Sequence, residues 1–523
     1  MLYLAGALVA LALLLPELFL ILQARDAGWS EITRVLGRPL TVELLRNTIE
    51  LTVFVAVATG VIGTAAAWCV VRTTLPAPRV WGALIVLPIS IPDFIVGYSW
   101  HSISPSFIGL HAAGIVMTLD LYPLVYLPVA AALRRTDPSL EDSAHALGVG
   151  AWGTFWRVVF PQIRPALIGG MLVVSLAMLA EFGAFEILDF RTFTTEIFTE
   201  LRIDTPAASA LALVLVALGV VILMAEVPGS GRRRLARTGA QSPRPPERHR
   251  LGWAAVPVLL GLASLVVAAL GVPLGTIGYW LTHSHTTTLP ATTTLLGATL
   301  ATARYAALAA ALATLLAIPV ALLAAQRRGR LARLIESSTL LIQSVPGVVI
   351  ALSLVFFAIR YAFSFYQTST LLVLAYALLF FPLALVCVRA SAMQAPPQLA
   401  ETARGLGCSP VAALFRVTVP LIAPGIAAAF SLVFLSSVTE LTATLVLVPT
   451  GVQTLATEFW AYQTNTAYGA AAPYAATILL LSAVPNLLLA ALFARRRGGD
   501  ASAAATRPAT SAVPAIPATP RTS

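Results

Sequence analysis

Residues 140–167 return as residues 399–426, displaced by 259 positions, with nine of 28 positions identical. Chance alone would give roughly two such identities, so the chain is built on an internal repeat. Leu140, Ala144, Leu147, Gly148, Arg157, Val158, Pro161, Ile163 and Pro165 recur as Leu399, Ala403, Leu406, Gly407, Arg416, Val417, Pro420, Ile422 and Pro424. Each copy reads as a short helix, a glycine stop, a second short helix and a proline break. Glu401 and Thr402 are expected in a first helical turn, where a carboxylate suits the positive helix end. Gly407 can take the left-handed conformation that ends a helix. Pro410 restarts the helix where a missing N–H is harmless, and Pro420 and Pro424 are expected to halt it. The product is a helical knuckle on a loop, presented once per half.

The sequence around these knuckles is too apolar for a soluble fold. Of 523 residues, 58% are hydrophobic and 11% charged, where a soluble domain carries about 25% charged residues. The expected class is an all-α polytopic membrane protein, each apolar run of about 20 residues being a candidate span. The net charge of +10 comes from arginine alone, since no lysine occurs. That excludes a P-loop ATPase, which needs its lysine on the phosphates, and Schiff-base chemistry. Cys69, Cys387 and Cys408 have no metal or disulfide spacing. His283 and His285 share a polar loop and read as solvated. No hydrolytic triad, metal-ligand cluster or phosphate-binding loop emerges, so no cofactor and no catalytic residue is expected.

Taken in order, the first half covers residues 1–227, with spans expected at about 2–22, 49–71, 80–100, 112–133, 166–188 and 206–227. Residues 2–22 lack a basic leading region and a clear cleavage site, and read as an uncleaved anchor helix. Residues 228–250 carry seven arginines among proline and glycine, a basic linker. The second half, 251–495, repeats the plan at about 252–280, 298–325, 335–360, 369–390, 425–447 and 470–494. The tail 496–523 is rich in Ala, Pro, Thr and Ser and reads as disordered. Six spans per half set both halves facing the same way in the bilayer, a parallel repeat of about 12 helices. With the knuckles, the linker and both termini inside, 25 of the 33 arginines are cytoplasmic, which is the positive-inside pattern.

Carboxylates within spans are functional candidates by default. Glu181 and Glu440 stand 259 positions apart, one helix beyond each knuckle, and a pseudo-twofold would bring them face to face. Either they line a cation pathway, or each hydrogen-bonds a helix break and fixes packing. Asp120 is a third pathway candidate. Asp93 has no acid counterpart: Pro92 matches Pro346, and Gly347 follows. Gly169 and Gly170 read as close helix packing.

The knuckles resemble the cytoplasmic EAA loop of ABC importer permeases: Glu-Ala-Ala, three residues, Gly, nine residues, Ile-x-Leu-Pro. The second copy fits as Glu401-Thr402-Ala403, Gly407 and Val417-Thr418-Val419-Pro420; the first as Asp142-Ser143-Ala144, Gly148 and Val158-Val159-Phe160-Pro161. Asp for Glu and Ser for Ala are departures in the first copy. The resemblance assigns ATPase coupling to Asp142, Ala144, Gly148, Pro161, Glu401, Ala403, Gly407 and Pro420. Glu440-Leu441-Thr442-Ala443-Thr444-Leu445 is similar to the Glu-Leu-Pro-Ala-Thr-Leu of ferric iron importers, with Thr442 for proline, and Glu181-Phe182-Gly183 to their acidic-Phe-Gly stretch. Thr195-Glu196-Ile197-Phe198 echoes Thr457-Glu458-Phe459-Trp460 in the exterior segments. The resemblance implies a permease subunit in the bacterial inner membrane, two copies of a cytoplasmic ATPase, an exterior solute-binding protein, and ferric iron as substrate. Thiamine, polyamine or phosphonate import stays open within that class. A secondary transporter with parallel repeats would share the architecture without knuckles, and a channel would need a filter-like repeat.

Overall fold

The structure, a computed structural model, describes residues 2–483 except 202, 231–247, 285–288, 327–328, 330–334 and 336–344. Its long helices are apolar nearly all round, as membrane-spanning helices are. In the first half they are α1 (Leu2–Ala27), α2 (Trp29–Leu36), α3 (Pro39–Arg72), α4 (Pro78–Val86), α5 (Asp93–Ile103) and α6 (Gly109–Leu133). Next come α7 (Pro138–Ala146), α8 (Ala151–Ala180), α9 (Gly183–Ile187), α10 (Phe193–Glu200) and α11 (Thr205–Ser230). The second half holds α12 (Gly252–His283), α13 (Thr292–Gln326), α14 (Gly347–Tyr361), α15 (Ser369–Leu379), α16 (Phe381–Ala392) and α17 (Pro397–Gly405). It ends in α18 (Pro410–Val438), α19 (Thr442–Leu447), α20 (Leu455–Thr464) and α21 (Tyr468–Ala483). Among the described residues there is no β-strand, only an isolated bridge between Thr73 and His249.

Among the described residues, seven helices are long and apolar enough to cross a membrane. Two bent pairs, α4–α5 at 91° and α15–α16 at 52°, add two broken spans, and three shorter apolar helices open α1, form α14 and form α21. These segments overlap the twelve expected spans, of which 335–360 and 470–494 lie partly outside the described residues. The α3–α6–α8 packing of the first half is repeated by α13–α16–α18 in the second. The opening helix of each half crosses over: α1 packs on α13 and α14, and α12 packs on α5. The two halves therefore clasp each other.

Three local expectations are corrected. The prolines do not halt the knuckle helices. α8 and α18 run unbroken through Pro161 and Pro165, and through Pro420 and Pro424, after a single π-helical turn at Phe155–Val159 and Leu414–Thr418. A widened turn just before the ring relieves the clash with the preceding carbonyl that proline otherwise makes. Glu401 and Thr402 are not in a first turn, because Pro397 starts α17 four residues earlier. The expected spans 166–188 and 425–447 are not single helices: α8 and α18 stop at Ala180 and Val438, and the chain restarts at Gly183 and Thr442.

The core of the expected linker (231–247), the tail 496–523, His285 and most of residues 327–344 lie outside the described residues. α11 runs through Ser230, past the expected linker start, and the far end of the linker is pinned. His249 N donates to the Arg72 carbonyl at 2.7 Å, and Thr74 N donates to the His249 carbonyl at 3.0 Å.

Candidate functional site

The two breaks that follow α8 and α18 face one cavity of about 500 Å³. Its lining carries the repeat with it: Leu124 and Leu383, Ala177 and Ser436, Ala180 and Thr439, Glu181 and Glu440, and Gly183 and Thr442. All five pairs keep the 259-residue spacing, so the cavity lies where the two halves meet. Gly183 is required by that closeness. A Cβ there would stand 2.7 Å from Leu441 Cδ2 of the opposite half and 2.8 Å from Phe94 Cβ.

Each acid holds its own helix break. Glu181 Oε1 accepts from Ala184 N at 2.6 Å, and Glu440 Oε1 accepts from Ala443 N at 2.8 Å. A carboxylate three residues ahead of an N–H satisfies a donor that a helix start leaves unpaired. The two readings of these acids are thus compatible in space, since each braces a break and also lines the cavity.

Asp120, expected on the pathway, is not on the cavity wall. It is buried inside α6 with Oδ1 unpartnered. Asp93 itself lines the cavity, at the first residue of α5 after the sharp α4–α5 bend. The sequence signal for it was Pro92–Asp93 inside an apolar run, where proline marks a break and a helix start exposes an acid. Among the described residues, no three His, Cys, Asp or Glu stand close enough together to hold a metal.

An aromatic layer packs beside the acids. Phe182 sits 4.5 Å from Phe198 and 5.5 Å from Trp460, ring centre to ring centre, and Phe459 sits 5.2 Å from Phe94 and 5.3 Å from Tyr98. Of these rings, Phe94 lines the cavity itself. The Thr195 and Thr457 segments that echo each other begin α10 and α20 with matching caps, Thr195 Oγ1 on Thr192 N and Thr457 Oγ1 on Thr454 N, each at 2.9 Å.

At the other ends of α8 and α18 stand the knuckles. Gly148 and Gly407 have φ of +78° and +90°, the left-handed region expected of them, with open space around each Cβ position. The following N–H closes the turn: Val149 N to Ala144 O and Cys408 N to Ala403 O, both 3.0 Å. Ala144 is buried and Ala403 half-buried, while Asp142, Glu401, Pro161 and Pro420 are exposed. Leu147 and Leu406 are 83% and 81% exposed, apolar residues at the tip of each knuckle that no other described residue covers. Asp137 caps α7, and the hydrogen bonds it accepts from Ser139 hold its carboxyl below the usual carboxylate range.

Two apolar, repeat-related halves meeting around a shared cavity, each tied by one unbroken helix to an exposed knuckle, have the architecture of a membrane permease. The chain belongs to the binding-protein-dependent transport system inner membrane component family, whose pattern matches residues 60–226 and 317–498, once in each half. It is 36% identical over 488 residues to the Fe(3+)-transport system permease protein FbpB 2 of Haemophilus influenzae, covering 92% of this chain and 96% of that one. It is 23% identical over 457 residues to the ferric transport system permease protein FbpB of Actinobacillus pleuropneumoniae, covering 80% and 66%. The sulfate transport system permease protein CysT of Escherichia coli is 30% identical over 238 residues, 41% of this chain and 86% of that one. The chain is a multi-pass permease of the inner-membrane type.

Proposed function

We propose that this chain is the permease of an ATP-driven importer that carries ferric iron from an exterior solute-binding protein to the cytoplasm. One observation carries the choice of substrate class. The shared cavity presents Asp93, Glu181 and Glu440, and no basic side chain stands among its described lining residues. Such a wall attracts a cation and repels sulfate or phosphonate. The near full-length likeness to an Fe(3+) permease of Haemophilus influenzae supports iron among the cations. Carboxylates that attract without closing into a chelate suit a pathway, where cargo must leave as readily as it enters.

In this reading the knuckles are cytoplasmic and each sits in a groove of one of two ATPase subunits. Asp142, Ala144, Gly148 and Pro161 serve the first contact, and Glu401, Ala403, Gly407 and Pro420 the second. The chain does no covalent chemistry; ATP binding and hydrolysis in the partner supply the energy. α8 has 30 residues and α18 has 29, each about 45 Å long. A displacement of either knuckle is delivered along one rod to the break at Glu181 or Glu440. Closing of the ATPases moves the rods together or apart, and access to the cavity alternates between the two faces.

The test is uptake by proteoliposomes holding the permease with its ATPase and binding protein, offered ferric iron or sulfate. ATP-dependent accumulation of iron and none of sulfate is expected. Uptake of sulfate without iron would overturn the substrate, and uptake independent of the ATPase would overturn the class.

A further inference from the structure

Arg72, the last residue of α3, is fully buried. Its guanidinium donates to both oxygens of Glu141, through Nη2 at 2.6 Å and Nη1 at 3.2 Å, and Nη2 also donates to Thr136 Oγ1 at 2.6 Å. The Trp68 ring lies 5.7 Å below it. Glu141 belongs to α7, the first knuckle helix, whose neighbouring residues Asp142, Ser143 and His145 are exposed. A forked, desolvated arginine–carboxylate pair fixes direction as well as distance. The backbone of the same arginine accepts from His249, where the chain enters the second half. One residue thus joins a knuckle, a span of the first half and the entry of α12. The repeat does not demand this, because the second knuckle has Ala400 where the first has Glu141.

We infer that Arg72 is a positioning residue that clamps the first knuckle to α3 through Glu141, so that ATPase movement reaches the first half as motion of a rigid unit. This rests on the reading that the knuckles dock on an ATPase. α8 carries motion to Glu181, while the clamp carries it to α3, which packs on α6. The second knuckle has Ala400 at that place, so among the described residues this arginine–carboxylate link belongs to the first knuckle. The two coupling loops are therefore mechanically unlike, although their backbones match.

The clamp is tested in the full complex reconstituted in liposomes, with three readouts: ATPase retained on the purified permease, ATP hydrolysed, and iron taken up per ATP. Glu141→Ala copies the state found naturally at Ala400, and Arg72→Lys keeps the charge but removes the fork. Both are expected to retain the ATPase and its hydrolysis while uptake per ATP falls roughly 10-fold. The exchange Arg72→Glu with Glu141→Arg is expected to recover most of that loss. Unchanged uptake per ATP in both single variants would overturn the clamp. So would loss of ATPase from Glu141→Ala, because the carboxylate would then face the partner and not Arg72. Failure of the unaltered permease to hold any ATPase would instead sink the docking reading itself.

Discussion

Glu181 and Glu440 stand 259 residues apart in the chain and line the same cavity, each accepting a hydrogen bond from the backbone N–H three residues ahead. The equivalence is close enough to separate charge from bracing by substitution. Glutamine keeps the Oε1 acceptor for Ala184 N and Ala443 N and removes the charge. In Glu181→Gln with Glu440→Gln, expression and ATPase association should survive while iron uptake falls at least about 10-fold, as expected when an intramembrane charge serves a cation. Alanine at either site also removes the helix-start acceptor, costing about 1–2 kcal/mol. Uptake at the unaltered level in the double glutamine variant would rule out an electrostatic role.

The knuckle glycines make a second prediction. Gly148 and Gly407 share a left-handed backbone with open surroundings, so a substitution there fails through φ and not through contact. Gly407→Val should cost about 1–3 kcal/mol locally and release the ATPase. The departures from the motif at Asp142 and Ser143 suggest a milder defect at Gly148→Val, but the matching φ values predict a comparable one. Retention of the ATPase on pull-down by both valine variants would remove the coupling role.

Gly183 tests where the halves meet. A valine there drives its Cβ against Leu441 and Phe94, overpacking that costs about 1–3 kcal/mol. Thermal unfolding in detergent should shift downward for Gly183→Val. Thr442→Val at the repeat-equivalent place, where a side chain already fits, should shift it much less. Equal shifts would mean that the halves do not close on each other there.

Cutting the chain near Gly239 and co-expressing the fragments should give two pieces that purify together and restore ATP-dependent uptake. α1 of the first fragment packs on α13 and α14, and α12 of the second packs on α5, so the halves interlock without a covalent link. Replacing Arg232, Arg233, Arg234 and Arg237 by serine should leave the topology intact, since Arg72, Arg134 and Arg327 still mark the inside. A tag at Gly239 reached only from outside the cell would refute the orientation and the parallel repeat.

The repeat, the span plan and the two knuckle glycines were legible in the sequence because each rests on local chemistry. Hydrophobicity over about 20 residues is set by the bilayer, and a glycine stop is set by φ within one turn. The motif spacing of the two knuckles likewise carries the resemblance to the permease family in the sequence itself. What the linear order did not contain is how distant segments approach. The prolines looked like stops, yet α8 and α18 run on as rods, with one π-helical turn ahead of Pro161 and one ahead of Pro420. Asp120 looked like a pathway residue, yet it is buried within α6 and the cavity lining carries Asp93 in its stead. Asp93 reaches the cavity only because α4 and α5 bend by 91°. Glu141 and Arg72 carry no signal at 69 residues' separation, and neither does the crossing of α1 and α12 to the opposite halves. Those were decided by tertiary packing, because a side chain's neighbours across helices depend on the rotation and tilt of each rod, which no single segment of sequence specifies.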